Sequence, residues 1–72
     1  MTSEGSITVH LNGKDRQVDE GLSVIGLLES LDLNPALVVV ELNREILDRS
    51  SYEDVVVKDG DTLELVHFVG GG

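Results

Sequence analysis

Gly70-Gly71-Gly72 closes the sequence directly behind the apolar run Leu63-Glu64-Leu65-Val66-His67-Phe68-Val69. Successive residues without side chains can enter a passage that admits only main chain, and what they deliver is the α-carboxylate of Gly72. A carboxylate on such a leash suits chemistry performed at the chain end by other enzymes, with the tail inserted and the partner supplying the catalytic groups. The alternative is an ordinary frayed tail, because chain ends are seldom tied down and glycine clusters commonly mark loops. A strand-type run leading straight into the glycines, with no tag sequence beside them, favours the functional reading.

No other residues form a comparable constellation. The chain has no cysteine, which excludes disulfides and thiolate metal sites. His10 and His67 are too few for a metal centre, and neither has a second catalytic group placed with it. His67 reads as a packed or half-exposed strand histidine and His10 as a solvent-facing one. The pairs Asp19-Glu20 and Glu53-Asp54 read as solvated turn acids or helix-dipole partners, and Asp59-Gly60-Asp61 is too short for a calcium loop. Tyr52 is expected to cap the core, and Arg49 to meet a partner or bridge across the sheet. The expectation is a protein that is not an enzyme and binds no cofactor or metal.

Composition narrows the partners. Seventy-two residues make a single domain, close to the lower size limit for folding without a staple. With 40% hydrophobic residues but only one Tyr, one Phe and no Trp, the core must be aliphatic. Fourteen acidic residues against five basic ones give a formal charge of -9, which repels phosphate backbones and anionic bilayers alike. Nucleic acid and membranes are therefore excluded as expected partners. The charge keeps the protein soluble, predicts a monomer when free, and can steer it towards basic grooves on partner enzymes. Met1 to Ser6 show no basic stretch followed by an apolar one, and no apolar run approaches membrane-spanning length. A cytoplasmic location is expected.

The elements that must position the tail follow from periodicity. Ile7, Val9 and Leu11 alternate with Thr8 and His10 as a half-buried strand, and Asn12-Gly13 is a hairpin signal leading to a second strand from about Asp15 to Val18. Ser23 is a candidate N-cap, with Val24, Leu27, Leu28 and Leu31 on one helical face. Gly26 costs that helix up to about 1 kcal/mol relative to Ala, which suggests close packing against the sheet. Asp32 to Pro35 should end the helix through the proline. Leu37 to Leu42 suits a central strand, and Asn43-Arg44 turns into a short Glu45-Ile46-Leu47 segment. Ser50 to Asp54 reads as one helical turn capped by Ser50 or Ser51. Lys58-Asp59-Gly60-Asp61 is a turn before a last strand from Thr62 to about Phe68. The fold class is α+β, a mixed four- to five-stranded sheet packed on one main helix. If Leu63, Leu65, Val40 and Leu42 face the core, strand alternation sends Glu64, Val66, Phe68 and Val39 to the other side. Val39, Val66 and Phe68 then form an apolar docking patch beside the tail.

The order ββαββ with a terminal Gly-Gly resembles the β-grasp, or ubiquitin-like, fold. Within it, Val40-Glu41-Leu42-Asn43, Arg49-Ser50, Lys58-Asp59-Gly60-Asp61 and Val66-His67-Phe68-Val69-Gly70-Gly71-Gly72 resemble the ThiS family of sulfur carriers of thiamine biosynthesis. The likeness covers Ile7 to Gly72, with Met1 to Ser6 as an extra, flexible N-terminal arm and residues 69–72 as a flexible tail. Arg44 stands where many members of that family have Gly after Asn.

This resemblance implies a mechanism. A ThiF-like adenylating enzyme converts the Gly72 carboxylate to an acyl-adenylate at the expense of ATP. A persulfide sulfur-donor enzyme turns the adenylate into a thiocarboxylate, and thiazole synthase receives the sulfur. Gly72 is then the covalent site, and Gly70 and Gly71 thread the partner's channel. Val69 to Gly72 can reach about 13 Å when extended. A sulfur carrier for another pathway, such as molybdopterin synthesis, and a ubiquitin-like modifier joined through Gly72 to lysine use the same tail and are the alternatives.

Overall fold

Two tight turns built on left-handed residues organise the sheet in the computed structural model, which describes residues 5–68. Asn12 (φ 50°) and Gly13 (φ 84°) join strand β1 (Ser6–Leu11) to β2 (Lys14–Asp19), with Leu11 opposite Lys14 and Ser6 opposite Asp19. Asn43 (φ 50°) and Arg44 (φ 73°) do the same between β3 (Val38–Leu42) and β4 (Glu45–Ile46). Both turns have the paired positive φ that matches the twist of a two-residue hairpin. Arg44 adopts that backbone at a cost, because its Cβ crowds the following carbonyl. Arg44→Gly should therefore stabilise the fold by about 1 kcal/mol in urea unfolding; a loss of stability would show that the arginine side chain contributes more than its backbone strain costs.

The final strand, β5 (Thr62–His67), lies in the middle of a five-stranded sheet ordered β2-β1-β5-β3-β4. It runs parallel to β1 and antiparallel to β3, so the sheet is mixed. β3 is interior as expected, but the centre belongs to β5. Asn12 and Asn43 fix that placement with their side-chain amides. Asn12 Oδ1 accepts from Leu65 N at 2.7 Å while its Nδ2 donates to Leu65 O at 3.3 Å, and Asn43 Oδ1 accepts from Thr62 N at 3.0 Å. Each turn asparagine thus adds side-chain bonds to β5 beside its own backbone N–H, which donates to Leu63 O from Asn12 and to Thr62 O from Asn43.

Helix α1 (Val24–Ser30) starts at Ser23, whose Oγ accepts from Gly26 N at 3.1 Å. It buries Val24, Leu27 and Leu28. It stops well before the proline. Asp32 sits at φ 62°, Leu33 N donates to Leu28 O at 2.9 Å and Asp32 N to Glu29 O at 3.0 Å, a Schellman ending. Pro35 instead opens a 3-10 turn (Pro35–Leu37) capped by Asn34. Gly26 is also not pressed on the sheet: a Cβ there would meet Leu22 Cδ2 at 3.3 Å and Ser23 Oγ at 3.4 Å. The expected turn at Ser50 begins one residue earlier, as a 3-10 turn over Arg49–Ser51 in which Asp48 occupies the cap position and neither serine does. Among the described residues Arg49 has no ion-pair partner across the sheet; its Nε donates to Pro35 O at 3.2 Å.

Val9, Val18, Val24, Leu27, Leu28, Val38, Val40, Val57 and Leu63 form an aliphatic core with Tyr52, whose position is deeper than a cap. β4 is too short to cover the outer edge of β3. The Tyr52 hydroxyl takes over, donating to Val38 O at 2.9 Å and accepting from Val40 N at 3.2 Å. At the N-terminus, Ser6 belongs to β1 and Gly5 O accepts from Glu20 N, so the expected arm does not extend that far. Met1 to Glu4 lie outside the described residues.

Candidate functional site

Strand alternation divides the sheet into a face under α1 and an open face. Val9, Val38, Val40 and Leu63 define the covered face by their burial with the helix. The residues between them point the other way: Thr8 and His10 on β1, Glu64 and Val66 on β5, Val39 and Glu41 on β3. Cross-strand pairing adds Ile46, opposite Glu41, and Asp15, Gln17 and Asp19, opposite His10, Thr8 and Ser6. Val39 and Val66 are directly paired, and Val66 and Phe68 are 52% and 53% exposed. Phe68 thus does not fold back onto the core, and its N–H is held by Leu37 O at 2.8 Å.

The structure therefore brings Val39, Val66 and Phe68 together at the end of the strand that leads into residues 69–72. Ile46, 73% exposed on the same face, was absent from the sequence-derived patch. The hairpin arithmetic could have found it, because a two-residue turn at Asn43-Arg44 sets Ile46 opposite Glu41. Gly70, Gly71 and Gly72, the candidate covalent and threading residues, lie outside the described residues, as does Val69.

The remaining polar candidates have structural places. His10 pairs with the Asp15 carboxylate across the first hairpin. His67 is exposed and faces the helix side, opposite buried Val38. Asp59 Oδ1 accepts from Thr8 N at 2.9 Å, and Asp61 takes Lys58 N at 2.8 Å and Asn43 Nδ2 at 3.1 Å, so this acidic turn is a set of backbone anchors. Among the described residues, no group of three or more His, Cys, Asp or Glu could hold a metal ion. No helix among them is long and apolar enough to cross a membrane.

A mixed sheet with one helix and a strand that leads into a glycine tail is matched by known proteins. A family model described as the ThiS family matches residues 9–72. The chain is 43% identical over 65 residues to the sulfur carrier protein ThiS of Bacillus subtilis, an alignment covering 89% of this chain and 98% of that protein. It is 41% identical over 64 residues to a thiazole synthase of Magnetococcus marinus, covering 89% of this chain but only 20% of that longer protein. The crystal structure of the thiamine biosynthesis protein ThiS from Geobacter metallireducens superposes with a TM-score of 0.78 at 42% identity, covering 92% of this chain and all of that one (100%). The fold is the β-grasp fold of that structure, and the chain belongs to the ThiS family.

Proposed function

We propose that this protein is the sulfur carrier of thiamine biosynthesis and that it carries sulfur on the carboxylate of Gly72. The observation that carries the proposal is the family match, which runs through residue 72 and so includes the glycine tail. The carrier is a substrate of its partners rather than an enzyme. An adenylating enzyme of the ThiF kind joins a Gly72 carboxylate oxygen to the α-phosphorus of ATP, and pyrophosphate leaves. A carboxylate resists acyl transfer because its oxygen is a poor leaving group; in the adenylate that oxygen is bonded to phosphorus and can depart as part of AMP. A persulfide on a donor enzyme displaces AMP, and cleavage of the resulting acyl persulfide by a thiol leaves the thiocarboxylate and a disulfide. ATP is bound by the partner, and the proposed cycle runs in the cytoplasm. All acid, base and metal chemistry resides on the partners, as with other group carriers.

Thiazole synthase is the proposed acceptor. A relative of that name contains a segment similar to this chain within a longer protein, which supports carrier and synthase acting on one pathway. Val39, Val66 and Phe68 are the proposed docking residues, since an exposed apolar surface next to the tail aligns the partner with the reacting end. Intact-mass measurement after incubation with an adenylating enzyme, ATP and a persulfide donor tests the reading. The expected result is a gain equal to replacing one oxygen by sulfur, absent when Gly72 is deleted. Branched conjugates of higher mass would identify a protein modifier instead, and no mass change with any of several activating enzymes would remove the carrier reading.

A further inference from the structure

β5 is supported unequally along its length. Its first residues are bonded on both flanks: Asn12 N donates to Leu63 O at 2.9 Å on the β1 side, and Asn43 N to Thr62 O at 2.8 Å on the β3 side. On the β3 side the register continues through His67 opposite Val38, and Phe68 N donates to Leu37 O at 2.8 Å. On the other side β1 has ended at Leu11, opposite Leu63. Alternation turns the main-chain polar groups of Leu65 and His67 towards that flank. A hollow of about 510 Å³ lies there, lined by Leu11, Asn12, Leu65 and His67 of the sheet and by Leu31 and Leu33 beyond α1. Only the Asn12 side chain reaches across it: Oδ1 accepts from Leu65 N at 2.7 Å and Nδ2 donates to Leu65 O at 3.3 Å. Among the described residues, no other hydrogen bond meets β5 on this flank beyond Leu63.

We propose, resting on the sulfur-carrier reading, that Asn12 is a positioning residue for acyl transfer at Gly72. By clamping Leu65 it fixes the direction in which the end of β5 delivers the tail to the adenylating partner. Asn12 itself touches no reacting atom. Two strands paired alone twist more than strands held between neighbours, and without the clamp the end of β5 is held by β3 alone. A change of about 10° in its direction moves the tip of an extended reach of about 13 Å by about 2 Å. Reacting atoms misplaced by about 1 Å cost about two orders of magnitude. The glycines can re-aim the chain and recover part of that loss, which sets the expected effect near tenfold. The hairpin does not need the amide, because glycine serves the same left-handed position. Asn12→Gly therefore removes the clamp and keeps the turn.

The test compares full-length Asn12→Gly with Asn43→Gly, using a purified adenylating enzyme, ATP and a persulfide donor. Asn43 holds the equivalent turn position (φ 50°) and its Oδ1 accepts from Thr62 N at 3.0 Å, so its loss frees the start of β5, away from the tail. Asn12→Gly is expected to slow single-turnover thiocarboxylate formation about tenfold. Its dissociation constant for the partner should change about twofold or less, because Val66 and Phe68 stay bonded to β3. Asn43→Gly should show a similar shift in its urea midpoint yet react within about twofold of the parent rate. An unchanged rate in Asn12→Gly, weaker binding without slower chemistry, or equal slowing in both variants would reduce the clamp to a part of the fold and overturn the proposal. Should Asn12→Gly be unfolded in the urea measurement, Asn12→Asp, which keeps the turn and the acceptor but loses the donor, is read in its place with the same outcomes. The mass gain of the parent is read in parallel. If it occurs while the two variants behave alike, the proposal alone fails; if it never occurs, the carrier reading fails and takes the proposal with it.

Discussion

Gly71→Val is expected to leave the fold intact and to lower the rate of thiocarboxylate formation at least about a hundredfold. The reasoning concerns width. In the proposed cycle the Gly72 carboxylate meets the α-phosphate of a nucleotide held inside the partner, at bonding distance and in line with the leaving pyrophosphate. The proposed passage, narrow enough to exclude water from that site, would admit little more than main chain. A β-branched residue one position before the carboxylate both widens the tail and restricts its backbone to fewer conformations. A displacement of about 1 Å at the reacting atoms costs two orders of magnitude. Single-turnover mass spectrometry of the variant, alongside its urea unfolding curve, separates this effect from misfolding. The variant should still bind its partner through the open face, and so should compete with the parent protein as an inhibitor. Turnover at the parental rate would show that the glycines serve only as a spacer.

Much of the fold was legible in the sequence. Asn12-Gly13 announced its hairpin because two left-handed residues between alternating strands have few other uses. The inward face of α1 followed from the spacing of Val24, Leu27 and Leu28, all of them buried. Alternation in β5 correctly separated Leu63 from Val66 and Phe68. What escaped was decided over long sequence separations or by residues in unusual roles. Asp32 ends the helix from a left-handed conformation usually taken by glycine, so the nearby Pro35 drew the attention. The parallel pairing of β1 with β5, which puts β5 at the centre, joins residues some fifty positions apart through only two pairs, His10 with Thr62 and Leu11 with Leu63. Ile46, read only as part of the short Glu45-Ile46-Leu47 segment, belongs to the open face because the register sets it opposite Glu41.

Tyr52→Phe should cost about 2 kcal/mol, although it removes a single oxygen atom from a side chain that the sequence presents as a simple cover for the core. The hydroxyl stands between Val38 O and Val40 N, donating to one and accepting from the other, and Tyr52 is only 2% exposed. It therefore does what one residue of a neighbouring strand would do at a place where β4 has already ended. Phenylalanine fills the same volume but leaves a buried donor and a buried acceptor without partners, and an orphaned group of this kind costs about 1–3 kcal/mol. In a domain this small, 2 kcal/mol corresponds to a fall of about 10 °C in the unfolding midpoint. Amide exchange at Val40 should accelerate more than at Leu63, which is held from both sides. A loss under about 0.5 kcal/mol would mean that the edge of β3 relaxes to find other partners, since only then are the two groups not left bare. The consequence extends to the open face, because Val38 and Val40 alternate with Val39 and Glu41 on the same strand. A tyrosine buried on the covered side thereby holds in register the residues through which the protein is proposed to meet its partner.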